Sequence, residues 1–450
     1  MFKKILIANR GEIAVRIIRA CREIGIQSVA VYSTADRPSL HAQIADEAVC
    51  IGPPATKDSY LNMNAIIQAA LNTGAEAIHP GFGFLSENAE FARLCEKHNI
   101  VFIGPSYKSI EMLGDKAVAK ETIKAAGVPV IPGSDGAVGS LDEARKIAEK
   151  AGYPVLVKAS AGGGGRGIRR VDTPYELESQ MIAAQQEAMN FFGDDTVYIE
   201  KLLVNPHHVE IQIIADQQGN YIHLCERDCS MQRRNQKVLE ECPSPIVSSE
   251  LREKMGKAAV TAAKQCGYYS AGTIEFLVDE KRNFYFMEMN TRIQVEHPVT
   301  EEVTGFDIVK AQIEIAAGMP LQVTQDDIVI RGHAIECRIN AENPDLDFRP
   351  SPGRITALYM PGGPGIRIDS AVYQTYTITP FYDSMIGKLI AHGSDRNDAI
   401  NKMRWALSEF IVEGVDTNIE FQLDLIKNAD FKNGKYDIGF LDRYMKSKKK

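Results

Sequence analysis

From Glu288 to Glu296 the chain reads Glu-Met-Asn-Thr-Arg-Ile-Gln-Val-Glu, so one parity carries Glu288, Asn290, Arg292, Gln294 and Glu296, with mostly apolar residues between them. The alternation is that of a strand whose polar side is loaded with chemistry. A solvated edge strand alternates in the same way, but with interchangeable Lys, Thr or Ser rather than carboxylates, amides and a guanidinium. Fully extended, the segment would span roughly 26 Å at about 3.3 Å per residue, too far for one small ligand to meet every polar side chain. It therefore reads as a strand ending near Asn290, followed by a curved loop. Upstream, TIEFLV sets Glu275 among apolar neighbours, and NFYFMEMN ends a second apolar strand on Glu288. Two carboxylates on adjacent strands, with the Asn290 amide, form an oxygen-rich set suited to a hard cation such as Mg²⁺. Core-edge acids paired with Arg or Lys would look alike, although acids inside apolar strands are costly unless compensated, which favours the metal.

Lys158-Ala-Ser-Ala-Gly-Gly-Gly-Gly-Arg-Gly places a lysine at a strand end and then a glycine run that includes Gly164 and Gly165. Without Cβ atoms the backbone approaches anionic oxygens closely and offers its N–H groups. A flexible linker is the plain alternative, but a tight strand-to-strand turn flanked by Lys158, Arg166 and Arg169 favours a phosphate-covering flap. GK[ST] and a following helix are missing, so it is not a P-loop. Lys116 begins a helix and is placed to point at the same phosphates. Glu200-Lys201-Leu202-Leu203 closes the strand leaving the flap, where a backbone can read an adenine edge, and His208 on the next strand is within reach of a ribose. Each of these is more often structural. Arg233, Arg234 and Lys237 gather positive charge, as a solvated loop or as a second anion site. Arg338 shares a strand side with Glu336, either in a salt bridge or facing a developing oxyanion.

These residues sit in a chain of 450, enough for about three domains. With 51 basic against 59 acidic residues the net charge is −8, which gives no support to a nucleic-acid or anionic-membrane surface. The eight cysteines are scattered without a CxxC pair, as expected of a reducing, cytoplasmic compartment. His223, Cys225 and Cys229 cluster, but lack a fourth ligand at zinc-like spacing. The apolar run of MFKKILIANRGE stops at Asn9, too short for a signal peptide, and no stretch approaches the roughly 20 apolar residues of a membrane span. The closing KSKKK reads as a solvated tail.

Residues 1–114 alternate apolar runs (KILIA, SVAVY, AEAIH, IVFIG) with helical stretches at 12–23 and 88–97, which predicts an α/β unit with an open parallel sheet. Its first turn, Ala-Asn-Arg-Gly-Glu, has one glycine where a dinucleotide fingerprint has three. His79–Glu87 follows the third run at the carboxyl end of the sheet. It fits a ligand loop and a Gly/Pro connector capped by Ser86 equally well. Residues 131–203 form a compact unit around the glycines, with a helix at 175–190. Strands HHVEIQIIA, NYIHLCE, AGTIEFLV and NFYFMEM follow to about 330. Residues 331–445 carry RGHAIECRIN, GRITALYM, KLIAHG and a helix at 396–410.

Taken together, Lys158 with its glycines, Glu200 to Leu203, Glu275 and EMNTRIQVEHP resemble the ATP-grasp superfamily and, within it, the biotin carboxylase family. IANRGEIAVRIIRA, HPGFGFLSEN, ERDCSMQRRNQK, RGHAIECRINAE, PSPGRIT and FYDSMIGKL extend the likeness over residues 1–445. The resemblance implies a pre-ATP-grasp α/β domain (1–114), an ATP-grasp domain with a mobile lid (115–330, lid about 131–203) and an α+β C-terminal domain (331–445). It implies carboxylation of biotin by ATP and bicarbonate, through carboxyphosphate, in the separate subunit of a multi-component acetyl-CoA carboxylase that serves malonyl-CoA and fatty acid synthesis. Partners would be a biotin carboxyl carrier protein, carboxyltransferase subunits and a second copy of the chain. The family's ATP contacts fall on Lys116, Lys158, Gly164, Gly165, Glu200, Lys201, Leu202, Leu203 and His208. Its Mg²⁺ or Mn²⁺ ligands fall on Glu275, Glu288 and Asn290. Bicarbonate contacts fall on Lys237, Arg292, Gln294 and Val295, the base on Glu296, and the biotin-oxyanion arginine on Arg338.

Two departures stand out: Asn235 replaces the histidine of RRHQK, and Ala161 replaces the first glycine of a longer run. Glu296 is a weak base if its pKa lies near the reference of about 4.3, and Arg292 nearby is expected to push it lower, so bicarbonate must be acidified by cationic surroundings. No Ala-Met-Lys-Met-type acceptor segment is present, so biotin is expected free or on another protein, and CoA chemistry on partners. The same acceptor question leaves open another acyl-CoA or pyruvate carboxylase. A carboxylate–amine ligase would share Lys158, the glycines, Glu275 and Glu288, but would not need Lys237, Arg292 and Arg338. A nucleotide-binding scaffold would not need the intact acid–base set.

Overall fold

In the computed structural model the described residues are 1–159, 168–192 and 195–448, without the side chains of 116, 117, 191 and 192. Gly164 and Gly165, with Ala161 and the rest of the glycine run, lie outside the described residues.

The first region is a five-stranded parallel sheet in the order Glu47–Gly52, Gln27–Ser33, Lys4–Ile7, Ala77–His79, Val101–Phe102. Its central strand buries Ile5, Leu6 and Ile7 completely, which is why the run shows no polar alternation. The strand Glu47–Gly52 was not expected. It is an edge strand with exposed Glu47, Ala48 and Cys50, and EAVCIG carries little apolar signal. The helix Gly11–Glu23 matches the expected stretch. The helix Ala89–Lys97 is capped by Asn88, whose side chain accepts from Phe91 N at 2.8 Å, and not by Ser86.

Most of the remaining chain is organised by an eight-stranded antiparallel sheet: Phe284–Asn290, Ser270–Val278, His207–Ala215, Tyr221–Arg233, Gln236–Cys242, His333–Asn340, Met385–Gly393 and Ile366–Ser370. Gln236–Cys242 pairs with His333–Asn340, so this sheet runs unbroken past residue 330. The hairpin before it turns through Arg234 and Asn235, with φ of 49° and 65°. A two-residue turn with both φ positive suits Asn better than most residues, a local reason for the departure at 235.

Directly opposed residues share a face of the sheet. Glu288 opposes Glu275, Glu275 opposes Glu210, and Glu210 opposes Arg227. Glu240 opposes Glu336, while Lys388 opposes both Arg338 and Asp369. Every strand thus contributes a charge to one face, and the other face packs Ile211, Ile274, Ile335, Cys337 and Leu389 into apolar cores. The helix His297–Thr304 packs over the charged side against four of the strands. A smaller three-stranded sheet, Ile168–Val171, Val155–Ala159 and Val197–Lys201, has its own core with the helices Leu141–Ala151 and Leu177–Phe192. The expected strand GRITALYM is instead two short pieces, Gly353–Arg354 and Ala357–Tyr359, pairing with different partners.

Glu241 ties the region after 330 to the hairpin. It accepts from His333 Nε2 at 2.6 Å, from Arg396 at 2.6 and 3.0 Å, and from the Tyr436 hydroxyl at 2.5 Å. Burial alone would raise its pKa, but His333 and Arg396 hold it down to about 2 from 4.5. A folded pKa below the unfolded one gives stability that is present above pH 4.5 and lost as pH falls toward 2. That separation is worth about 3 kcal/mol. Chemical denaturation at a series of pH values below neutrality should show the Glu241→Gln variant losing less stability on acidification than the parent. Parallel pH profiles would refute this role.

Candidate active site

Beyond Asn290 the chain leaves its strand and curves across the charged face, as its length required. The loop delivers Glu296, fully buried, onto two cations: Lys237 Nζ lies 2.6 Å from Glu296 Oε1, and Arg338 Nη2 lies 3.0 Å from Oε2. Lys237 also reaches Glu210 Oε2 at 2.7 Å and Glu275 Oε1 at 3.1 Å. Arg338 Nε donates to Glu240 Oε1 at 2.6 Å, so the salt bridge expected from shared parity with Glu336 forms elsewhere. Among the described residues neither Glu336 oxygen has a hydrogen-bond partner, and burial pushes that carboxyl well above the usual range.

Arg292 is aimed by three side chains and by the Ile293 carbonyl, which accepts from Nη1 at 3.2 Å. Its Nε donates to Glu87 Oε2 at 2.8 Å, Nη1 to Gln294 Oε1 at 3.0 Å, and Nη2 to Asn290 Oδ1 at 3.1 Å. Glu87 also accepts from Thr291 N at 3.0 Å, so the loop from His79 to Glu87 serves the site as well as connecting elements. The Val295 carbonyl accepts from Lys388 Nζ at 2.9 Å. Lys237, Arg292, Gln294, Val295, Glu296 and Arg338 therefore converge on one region.

Glu275 and Glu288 face each other across neighbouring strands, and Asn290 Nδ2 donates to Glu275 Oε1 at 2.9 Å. His208 Nε2 stands 3.1 Å from Glu275 Oε2, and ligand atoms of His208, Glu210 and Glu275 lie within 4.8 Å of one another. Carboxylate and amide oxygens from opposed strands fit a hard divalent cation, with the neighbouring ammonium of Lys237 balancing the same charge. His208 thus stands at the acid cluster. On the facing unit, Glu200 pairs with Lys158 and, at 3.0 Å, with Lys120. Lys201 turns its ammonium to the Gly152 and Tyr153 carbonyls, and Leu202 N donates to Pro154 O at 3.0 Å. Lys116 is the first residue of the helix Lys116–Ala125.

Burial would raise the Glu296 carboxyl, but Lys237, Arg338 and Arg227 hold it well below the ordinary range. Lys237 is pushed the other way: burial disfavours its charge, and Glu210 and Glu296 raise its pKa well above normal. Glu240 is lifted by burial to about 7 despite Arg338. The arrangement is a water-poor pocket edge where cations outbid desolvation and keep Glu296 ionised.

Arg233 and Arg234 both pair with Asp347, at 2.5 and 2.8 Å, and Arg233 lines one pocket with Lys237 and Arg338. Cys225 contacts Cys242 Sγ at 3.3 Å, Cys229 donates to Glu296 at 3.7 Å, and all eight cysteines are free thiols. Sequence reasoning missed Glu87, Glu210, Arg227, Glu240 and Lys388. Glu210 was legible, because His208, Glu210 and Gln212 share a parity inside an apolar strand. Arg227, fully buried, binds Glu210, Gln212, Thr273 and Thr300, a role set by tertiary packing.

Residues 1–110 match the family "Biotin carboxylase, N-terminal domain", 115–324 "Carbamoyl-phosphate synthase L chain, ATP binding domain", and 336–443 "Biotin carboxylase C-terminal domain". A biotin carboxylase of Nostoc sp. is 59% identical over 445 residues, 99% of this chain and 100% of the relative. A pyruvate carboxylase subunit of Methanothermobacter thermautotrophicus is 57% identical, covering 99% and 90%. Among solved structures, the biotin carboxylase domain dimer of Hydrogenobacter thermophilus 2-oxoglutarate carboxylase, in complex with MgADP, ADP and bicarbonate, is 54% identical with a TM-score of 0.89, covering 99% and 98%. Among the described residues no helix is long and apolar enough to cross a membrane.

Proposed function

The chain belongs to the biotin carboxylase family, and from that premise we propose that Lys237, Arg292, Gln294 and Val295 hold bicarbonate, Glu296 takes its proton and Arg338 steadies the biotin oxyanion. The reaction is the ATP-dependent carboxylation of biotin by bicarbonate, an ATP-grasp ligase chemistry. The observation that carries the assignment of roles is Glu296 clamped between Lys237 and Arg338 at 2.6 and 3.0 Å.

Bicarbonate attacks the γ-phosphorus of ATP, releasing ADP and forming carboxyphosphate. Carboxyphosphate then breaks down beside biotin: its C–O bond to phosphate breaks, the released phosphate takes the ureido N–H proton, and the ureido nitrogen bonds the carboxyl carbon. Glu296, held far below its normal pKa, is weak as a free base. A bound anion shares Lys237, which loosens that ammonium's grip on the Glu296 carboxylate, while Lys237 and Arg292 together acidify the anion's own proton. Phosphates of ATP are assigned to Lys116, Lys158, Gly164 and Gly165, and its base and sugar to Glu200, Lys201, Leu202, Leu203 and His208. Glu275, Glu288 and Asn290 would hold Mg²⁺ or Mn²⁺, which when bound supplies positive charge against phosphate oxygens. Chelation should abolish biotin-dependent ADP release, and added Mg²⁺ or Mn²⁺ should restore it. Full activity in excess chelator would contradict the metal assignment.

We further propose domains at 1–114, 115–330 and 331–445, the last two sharing the eight-stranded sheet, and a cytoplasmic homodimer. A biotin carboxyl carrier protein would bring biotin, and carboxyltransferase subunits would pass the carboxyl group to acetyl-CoA, in support of fatty acid synthesis. The relative named for pyruvate carboxylase supports a second reading, with pyruvate as acceptor. Reconstitution with each class of carboxyltransferase separates the two: malonyl-CoA formation favours the first, oxaloacetate the second.

A further inference from the structure

Lys388 is fully buried on the strand Met385–Gly393, opposite Arg338 on one side and Asp369 on the other. Its ammonium donates to the Val295 carbonyl at 2.9 Å and lies 3.0 Å from Glu12 Oε2 and 3.8 Å from Asp369 Oδ2. Three distant stretches of sequence thus meet on one amine: the first helix through Glu12, the bicarbonate loop through Val295 and the strand Ile366–Ser370 through Asp369. The Val295 carbonyl belongs to the peptide plane that leads into Glu296, so fixing its direction fixes the backbone from which the Glu296 side chain departs. Arg338 meanwhile holds the far end of that side chain at 3.0 Å. Opposed residues on one strand pair therefore grip residue 296 at both ends, one through its carboxylate and one through the preceding carbonyl. An ammonium this deeply buried needs compensating charge, and Glu12 and Asp369 supply it.

We propose that Lys388 is a positioning residue for the bicarbonate loop: by binding the Val295 carbonyl it sets the orientation of the peptide that presents Glu296 to the anion. This rests on the reading of Val295 and Glu296 given above. The Lys388 amine is engaged by Val295, Glu12 and Asp369, so its removal should act on bicarbonate through the loop and leave nucleotide binding alone.

The test compares the intact chain with Lys388→Met, with the charge-balanced pair Lys388→Met and Glu12→Gln, and with Glu12→Gln alone. ADP release is followed with ATP, bicarbonate and free biotin, and thermal unfolding reports the fold. Both Lys388→Met proteins should raise the bicarbonate KM about tenfold or more, since small misplacements of a reacting group are expensive. The ATP KM should stay within about twofold, and Glu12→Gln, which keeps the bond to Val295, should change the bicarbonate KM by less than about threefold. If the methionine proteins do not fold, Lys388→Arg decides: it keeps charge but moves the donor, and it should raise the bicarbonate KM selectively. An unchanged bicarbonate KM in a folded variant, equal losses for ATP and bicarbonate, or the full effect from Glu12→Gln alone would overturn the proposal. A parent enzyme indifferent to bicarbonate would instead sink the assignment of the loop itself.

Discussion

Glu296→Gln lowers bicarbonate-dependent ADP release by about 10²–10⁴-fold, the usual worth of a positioned general base, while ATP affinity is kept. The substitution retains size and leaves oxygen for Lys237 or Arg338, so the loop should stay in place. What disappears is the carboxylate's basicity, because an amide oxygen accepts hydrogen bonds but does not take a proton from bicarbonate. Because Lys237, Arg338 and Arg227 already hold Glu296 ionised, the parent does not gain a working base by titration near neutrality. The loss should therefore persist on raising the pH. Turnover close to that of the parent, or a loss repaired at alkaline pH, would remove Glu296 from the role of base.

Arg338→Ala should cut carboxylation of biotin by about 10²–10³-fold, the range seen when one donor to a developing oxyanion is removed. The slow ATP hydrolysis without biotin should fall much less, because Lys237 and Arg292 remain. Arg338 bridges Glu240 and Glu296 at 2.6 and 3.0 Å, so its removal also strips a buried carboxyl of its partner. Glu240, already lifted to about 7, can answer by taking a proton, which limits the cost to the fold. Thermal unfolding should shift modestly, and the ratio of the two activities is the diagnostic quantity. Equal losses with and without biotin would make Arg338 a general structural part of the pocket.

Much of this site was legible because its chemistry is written locally. The parity of 288–290, the apolar flanks of Glu275 and the break after Asn290 are properties of neighbouring residues, and the strand Phe284–Asn290 with its register reproduces them. The parallel sheet of residues 1–114 was readable for the same reason, apart from its exposed edge strand at Glu47–Gly52. What escaped depends on contacts between distant segments. Nothing near Lys388 in sequence says that its amine meets Val295, and nothing near Glu87 says that it aims Arg292. Arg338 and Glu336 show the limit of parity: one side of a strand was correctly inferred, but Arg338 chose Glu240 and Glu296 as partners. Likewise, the basic run Arg233–Arg234 read as a solvated loop or a second anion site, and nothing near it in sequence says that both arginines pair with Asp347.

At this loop the carbon of bicarbonate is activated by ATP and passed to biotin. Incubating the purified chain with ATP, Mg²⁺, free biotin and isotopically labelled bicarbonate tests it directly, with label in biotin and ADP followed together. Labelled carboxybiotin should form in step with ADP, dependent on all four reagents. ADP release that ignores bicarbonate, or that requires an amine and leaves biotin unlabelled, would contradict it.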